Sequence, residues 1–275
     1  MDCKIVIAMH KPYEVPTDPA YFPLQVGALG RPSIIPLNRK DPISRDDTGD
    51  NISAKNASYC ELTGLYWAWK NLRADVIGLV HYRRYFMRRN LTDGLNHLPL
   101  DEILTEEEAC GLMERYDIVV PKKQKYYIET LYSHYAHTHY REHLDLTREI
   151  IREQCPQYLK TCDRVYRQRS GYMFNMFLMR KELADEYCSW LFPILEELEN
   201  RMASQAQTQK LSAFQGRFYG RVSEILFNVW LAEQKKAGKT VCEADCIFME
   251  RIDWWKKGTS FLKAKFFGKK YEGSF

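Results

Sequence analysis

The run HYRR (81–84) directly follows the apolar stretch DVIGLV (75–80) and is the first place where the sequence suggests chemistry. A guanidinium group can bind two phosphate oxygens through its planar fork of N–H donors. Ligands of open α/β sheets bind beyond the carboxyl ends of strands, so this run is a candidate diphosphate site. The alternative is a solvated basic patch paired with the acidic segment 101–108. The candidate diphosphate ligands are His81, Arg83 and Arg84.

A second cluster places four histidines within ten residues, in the string HYAHTHYREH (134–143). On a helix, His134 and His137 share one face, and His139 and His143 share another. These side chains could ligate a metal or contact a polar ligand as neutral donors and acceptors. They could also be no more than a histidine-rich helix surface.

A single carboxylate, Glu224, stands near Arg217 and Arg221 in the segment GRVSEIL (220–226). The pattern predicts a helix over 220–233 with Glu224 near its start. A carboxylate there often only complements the helix dipole. The alternative is a general base that accepts a proton from a substrate hydroxyl.

The elements that would position these residues alternate between strand and helix. Apolar runs at 4–9, 75–80 and 117–121 predict buried strands. Capping-box patterns predict helices that start near Ser58 and Thr105, each with a glutamate three residues later. The second half is more helical, and GYMFNMFLM (171–179) predicts one further strand with a single polar residue. This order predicts an α/β fold with a Rossmann-like, mainly parallel sheet and a helical C-terminal part.

Composition narrows the class of protein. With 40 basic and 36 acidic side chains, the net charge of +4 does not favour a nucleic-acid binder. None of the motifs GxGxxG, GxxxxGK[ST] or GxSxG occurs, which disfavours dinucleotide dehydrogenases, P-loop NTPases and serine hydrolases. The N-terminal run lacks the pattern of a signal peptide, so we expect a cytoplasmic protein with its eight cysteines reduced.

Several long strings together resemble one family. They are RDDTGDNISAKNASYCELTGLYWAWKN (45–71), IGLVHYRRYF (77–86), YDIVVPKKQKYYIETLYSHYAHTHY (116–140), RSGYMFNMFLMRKEL (169–183) and GRFYGRVSEILFNVWL (216–231). The chain resembles bacterial glycosyltransferases encoded in capsule, exopolysaccharide and O-antigen clusters, a family long known only as a domain of unknown function. The resemblance implies an A-type, Rossmann-like fold and a nucleotide-sugar donor, with galactose or galactofuranose as the first guess for the transferred sugar.

The resemblance also implies roles for particular residues. A-type transferases usually end a central strand in Asp-x-Asp, which binds a divalent metal, whereas this chain has HYRR there. Arginines would then neutralise the leaving diphosphate, so we expect no cofactor and disfavour Mn²⁺, although the loop carboxylates Asp46, Asp47 and Asp50 remain alternative metal ligands. Glu224 would be the base of an inverting transfer. The expected nucleotide ligands are His10, Lys11, Asp50 and Asn51, and the expected sugar ligands are His134, His137, His139 and Asn175, the last with a buried structural amide as its alternative.

The sequence therefore predicts a glycosyltransferase domain over 1–253 that moves a hexose from a UDP-sugar to a lipid-linked oligosaccharide. A basic, aromatic tail at 254–275 would dock on the anionic inner face of the plasma membrane. The bland alternative for the tail is a disordered or packed terminus. The rival function is a non-catalytic carbohydrate- or nucleotide-binding protein of the same pathway, which would need no base.

Overall fold

The computed structural model describes residues 1–88, 100–205 and 212–249. Within these ranges the chain divides into two compact units. The first unit comprises 1–122, 174–188 and 238–249, and the second comprises 123–173, 189–205 and 212–237. The predicted C-terminal tail, 254–275, lies outside the described residues.

The strands follow one another in chain order as β1 (Cys3–Met9), β2 (Tyr21–Gln25), β3 (Ser44–Arg45), β4 (Val76–His81), β5 (Arg84–Phe86), β6 (Ile118–Pro121), β7 (Gln124–Lys125), β8 (Ser170–Gly171), β9 (Phe177–Arg180), β10 (Val241–Ala244) and β11 (Cys246–Phe248). The helices are α1 (Asn56–Tyr59), α2 (Leu62–Asn71), α3 (Glu106–Met113), α4 (Leu131–Thr138), α5 (Arg141–Gln154), α6 (Leu159–Tyr166), α7 (Lys181–Gln205) and α8 (Phe218–Lys236). The helix α7 begins in the first unit and continues into the second.

The first unit is built on one mixed sheet with the order β10-β6-β9-β4-β1-β2-β3. Along this path β9 runs antiparallel to both of its neighbours, and the other pairs are parallel. β4 and β5 form a short antiparallel hairpin, and β11 pairs antiparallel with the other side of β5. The prediction of an α/β fold with a mainly parallel sheet is confirmed.

The central strands form the core of this unit because their side chains are apolar on both faces. Ile7 and Val80 on one face and Val6 on the other are fully buried, and both α2 and α3 pack on β1. Such doubly covered strands are typical of α/β proteins. The first unit therefore presents a rigid edge where β1, β2, β4 and β6 all end.

The predicted helix starts have different outcomes. Thr105 caps α3 in a reciprocal capping box with Glu108, as the sequence predicts. The box predicted for Ser58 and Glu61 is wrong. Ser58 instead lies inside α1, and Glu61 precedes α2 without a side-chain cap hydrogen bond. The side chain of Glu61 instead accepts a hydrogen bond from the Asn175 amide.

The second unit consists mainly of helices, with the short antiparallel pair β7–β8. The histidine cluster at 134–143 does not lie on one continuous helix, since α4 ends at Thr138 and α5 begins at Arg141. Among the helices that the structure describes, none is both long and apolar enough to cross a membrane.

The single strand predicted for 171–179 is wrong in its middle. Gly171 ends β8, β9 begins only at Phe177, and the backbone of Phe174 and Asn175 has φ values of 80° and 52°. A left-handed backbone cannot continue a strand, so the apolar run is broken despite its strand-like composition.

Candidate active site

The HYRR run forms the turn of a tight hairpin at the carboxyl edge of the first unit's sheet. His81 ends β4, Tyr82 and Arg83 form the turn, and Arg84 begins β5. Arg84 pairs across the strands with His81 on one side and Phe248 on the other. Residues directly opposite in antiparallel strands project to the same face, so these three side chains share one face of the sheet.

Two aromatic rings flank the guanidinium of Arg84. Its Cζ lies 4.2 Å from the ring centroid of Phe174 and 5.2 Å from that of Phe248. The two rings are themselves perpendicular, with centroids 6.0 Å apart. A guanidinium that lies against aromatic rings is attracted to the negative face of their quadrupoles and loses rotational freedom.

The other arginine of the hairpin adjoins an aromatic group after β1. The Cζ of Arg83 lies 5.2 Å from the ring centroid of Tyr82. The Tyr82 ring makes edge contacts with His10 and Tyr13, and its hydroxyl lies 3.3 Å from Nε2 of His10. The structure thus brings His10 to the arginine hairpin, with the exposed Lys11 next to it in sequence.

The turn at Phe174 and Asn175 approaches the same edge from β9. Nε2 of His81 lies 2.6 Å from the carbonyl oxygen of Phe174, so the imidazole donates this hydrogen bond. The side-chain amide of Asn175 is buried and donates to Oε1 of Glu61 at 2.7 Å. His81 and Asn175, predicted as diphosphate and sugar ligands, both therefore have protein partners at this edge.

The loop carboxylate Asp46 is fully buried and accepts four hydrogen bonds. Its donors are the backbone N–H groups of Gly27 (2.8 Å) and Ala28 (3.0 Å) and the hydroxyls of Ser53 (2.5 Å) and Thr63 (2.7 Å). The two oxygens of a carboxylate offer about four acceptor positions, so this network saturates Asp46. Asp46 is therefore an anchor of the loop and does not fit the alternative role of metal ligand.

The neighbouring loop carboxylates have partners too. Arg45 binds Asp47 with both arms of its fork, at 2.7 and 3.0 Å, and this hydrogen bonding holds the pKa of Asp47 below its usual value. Asp50 accepts from the hydroxyl of Tyr66, and its backbone N–H bonds to Asn71. Within the described ranges, no cluster of three or more histidine, cysteine or acidic side chains is arranged to hold a metal.

The position of Asp50 also separates it from the arginine hairpin. Asn71 ends α2 and lies five residues before β4 begins at Val76. Asp50 therefore lies toward the start of β4, whereas His81 lies at its end. Asn51 bonds within the same loop, to Gly49 and Ser53. The nucleotide-binding roles of Asp50 and Asn51 stay predictions.

In the second unit, one buried carboxylate holds two of the predicted sugar ligands. Glu129 lies 2.8 Å from Nδ1 of His134 and 2.5 Å from Nδ1 of His137. Only 2% of the Glu129 side chain is exposed, against 19% and 40% for the two histidines. Burial alone would raise the pKa of Glu129, but the hydrogen bonds from both imidazoles hold that pKa below its usual value.

The third predicted sugar ligand, His139, is a buried neutral base. Burial, with the nearby Arg221 guanidinium, lowers its pKa to about 3. Its Nδ1 lies 2.9 Å from Oε1 of Gln215, whose amide nitrogen donates to the Thr138 carbonyl at 3.0 Å. Because the amide nitrogen of Gln215 donates to Thr138, the amide oxygen faces the imidazole and accepts. Nδ1 of His139 therefore carries the proton.

Glu224 lies in the second turn of α8, because the helix begins at Phe218 rather than at 220 as predicted. The residue is 3% exposed, and its carboxylate oxygens lie 3.3 and 3.5 Å from an amino nitrogen of Arg221. Asn228, one turn later, donates to the Glu224 carbonyl and bonds both backbone groups of Tyr172. The structure thus places Glu224 and His139 in one unit, each near Arg221.

Sequence reasoning missed several residues that shape these sites. Glu129 precedes the histidines by five and eight residues, at the capped start of α4, and this spacing was the available signal. Nothing local identified the partners contributed by distant segments. These residues are Glu61, Phe174, Gln215 and Phe248.

The fold and these sites define an α/β protein with a basic, aromatic edge on a mixed sheet. The family model described as "Domain of unknown function (DUF4422)" matches residues 4–236, so the chain belongs to that family. This confirms the membership that the sequence strings indicated. No curated protein is similar enough to the chain to be compared with it.

A solved structure shares this fold. The chain is similar to the apo structure of WbbM, a bifunctional glycosyltransferase, with a TM-score of 0.82 and 30% sequence identity. The match covers 91% of this chain and 46% of that one. The chain therefore spans about half the length of the protein it matches.

Proposed function

We propose that this protein is a glycosyltransferase that moves a hexose from a UDP-sugar. The observation that carries the proposal is the arginine hairpin at the carboxyl edge of the sheet, in a fold shared with a bifunctional glycosyltransferase. A UDP-sugar carries a diphosphate, and guanidinium groups such as those of Arg83 and Arg84 bind phosphate oxygens through paired hydrogen bonds. The transferred sugar proposed first is galactose or galactofuranose.

In the proposed reaction, an acceptor hydroxyl oxygen attacks the anomeric carbon while the bond from that carbon to the diphosphate oxygen breaks. Negative charge grows on the leaving UDP, and fixed guanidinium groups stabilise that charge more strongly in the transition state than in the ground state. The hydroxyl proton passes to a carboxylate, for which we propose Glu224. Attack from the face opposite the leaving group makes the transfer inverting.

The second unit would contribute to recognition of a carbohydrate. Glu129 fixes Nδ1 of both His134 and His137 as the donating nitrogen, so a neutral ring at the partly exposed His137 presents Nε2 as an acceptor. An acceptor nitrogen suits the hydroxyl groups of a sugar. We propose a lipid-linked oligosaccharide as the acceptor substrate.

The test is turnover of a panel of UDP-sugars with synthetic lipid-linked acceptors, followed by the release of UDP and by mass of the product. Wild-type protein should transfer one hexose, and Arg84→Ala should lose most of this activity. Arg115→Ala is the matched control, because Arg115 is exposed near the C-terminal end of α3 and only caps a helix carbonyl. Nucleotide binding without any transfer would instead support a binding protein of the pathway.

Docking on an anionic membrane belongs to the same proposal, since a lipid-linked acceptor is anchored in the bilayer. The first part of the tail, 254–270, contains six lysines and five Trp or Phe residues. Glu272 is the one acidic side chain of the whole tail, 254–275. Lysines near anionic head groups contribute about 1 kcal/mol each. The full chain should sediment with anionic liposomes at low salt, and deletion of 256–275 should abolish this but spare transfer to a soluble acceptor. Failure of the full chain to sediment would reject the tail as an anchor.

A further inference from the structure

The turn before β9 has an unusual backbone for its residues. Phe174 has a φ of 80° and Asn175 a φ of 52°. Asparagine tolerates this left-handed region, but for a bulky side chain such as phenylalanine it is a genuine outlier. Glycine would adopt the same backbone without strain. Strain of this kind persists where the surroundings hold it and often accompanies a functional site.

Two side chains from distant segments hold this turn. The imidazole of His81 donates to the Phe174 carbonyl, and Glu61 accepts from the Asn175 amide. His81 also pairs with Arg84 across the hairpin. The position of Phe174 is therefore tied to the strand that carries the arginine.

The held turn fixes the aromatic surroundings of Arg84. The Phe174 ring lies nearer to the guanidinium than the Phe248 ring does, at 4.2 against 5.2 Å. Because the rings meet at 83°, they contact the guanidinium from two directions. Contact with the rings limits rotation of the planar guanidinium and so fixes the direction of its N–H donors, which two phosphate oxygens require.

We propose that the strained Phe174–Asn175 turn is a positioning device for the donor diphosphate. His81 and Glu61 hold the turn, and the turn holds the Phe174 ring against Arg84 so that the guanidinium is oriented before the ligand arrives. In this assignment His81 and Glu61 are positioning residues, and Arg84 contacts the diphosphate. The inference rests on the proposed function, because it presumes that a UDP-sugar binds at this hairpin.

The proposal explains why phenylalanine occupies a position that favours glycine. If the backbone shape alone mattered, glycine would provide it at lower conformational cost. The ring must therefore contribute something that offsets the strain, and its contact with Arg84 is the contribution that the structure shows.

The test compares Phe174→Ala with Phe174→Gly, measuring UDP affinity by calorimetry and stability by urea unfolding. Both variants lose the ring, but only glycine relieves the backbone. We expect Phe174→Gly to be the more stable of the two, and both to weaken UDP binding by about three- to tenfold. Phe174→Tyr, which keeps the ring, should bind like the wild type. A purely structural role would make affinity follow stability, so near-normal UDP affinity in Phe174→Gly would overturn the proposal.

The Glu61 arm provides a rescue test. Glu61→Gln keeps an oxygen that can accept from Asn175, whereas Glu61→Ala removes it. We expect UDP affinity to be retained in the glutamine variant and reduced severalfold in the alanine variant. Equal affinity of the two variants would remove Glu61 from the device.

Arg84→Ala, measured in parallel, separates the two proposals. If it binds UDP as well as the wild type, the diphosphate site itself is wrong, and the inference fails with it. If Arg84→Ala weakens UDP binding but the Phe174 variants do not, only the positioning role is wrong. If neither UDP nor a UDP-sugar binds to the wild type, both proposals are overturned.

Discussion

The carboxylate of Glu129 accepts a hydrogen bond from Nδ1 of His137 at 2.5 Å. Its other oxygen accepts one from Nδ1 of His134, which lies on the same helix, α4, as His137. One buried anion thus sets the orientation of two partly exposed imidazoles. Replacing Glu129 with alanine removes the acceptor of both imidazole N–H groups. We expect the free energy of unfolding to fall by about 1–3 kcal/mol, measured by urea denaturation.

The tautomer of the two rings gives a sharper readout of the same variant. In the wild type, ¹⁵N imidazole spectra should show Nδ1 protonated in neutral His134 and His137, and Glu129→Ala should shift the protonation toward Nε2. Glu142→Ala is the control, because its carboxylate is 59% exposed and makes only a loose contact with Arg141. Unchanged imidazole spectra in Glu129→Ala would contradict the positioning role.

Glu224→Gln tests the proposed base. The amide keeps the shape of the side chain but cannot take a proton, so the rate constant should fall by about two to four orders of magnitude while donor affinity changes little. Glu233→Gln, on the same helix and paired with Lys236, is the matched control. If Glu224→Gln loses stability and donor binding together, the residue only holds Arg221 and α8. If Glu224→Gln turns over at the wild-type rate, Glu224 is not the base.

The depressed pKa of His139 predicts how stability depends on pH. The unfolded imidazole titrates near its ordinary pKa of 6.5, whereas the folded one titrates at about 3. Between these values the unfolded chain binds more protons, so the free energy of unfolding falls as the pH falls, with a slope approaching about 1.4 kcal/mol per pH unit. Urea denaturation across pH 4–7 of wild type and His139→Gln should show a shallower slope in the variant. Equal slopes would mean that His139 is not the group responsible.

Asp46→Asn tests the anchor of the loop. Asparagine replaces one carboxylate oxygen with a donor, so two of the four donors lose their acceptor, at a cost of about 1–3 kcal/mol in the free energy of unfolding. Asp50→Asn, at an exposed position of the same loop, should change stability by less than about 0.5 kcal/mol. A similar small effect for both would show that the Asp46 network is not needed for the loop.

Local patterns in the sequence predict much of the framework. Apolar runs identified β1, β4 and β6, because a strand buried on both faces must be apolar throughout. The Thr105 cap was also predictable, since its partner lies three residues away. The arginine cluster could be placed at a strand end because it directly follows the apolar run of β4. Long sequence strings were enough to identify the family.

The tertiary structure decided which residues act together. His81 meets Phe174 across 93 positions of the chain, and Asn175 meets Glu61 across 114. These partners come together only because β9 inserts antiparallel next to β4, which brings the turn before β9 to the edge where β4 ends. Hydrophobic periodicity carries no information about strand order. An apolar run also does not reveal a left-handed backbone, so the run at 171–179 predicted a continuous strand through the turn at Phe174 and Asn175. The sequence by itself determined most of the central strands and the family, and the order of strands in the sheet decided the partners of the arginine hairpin.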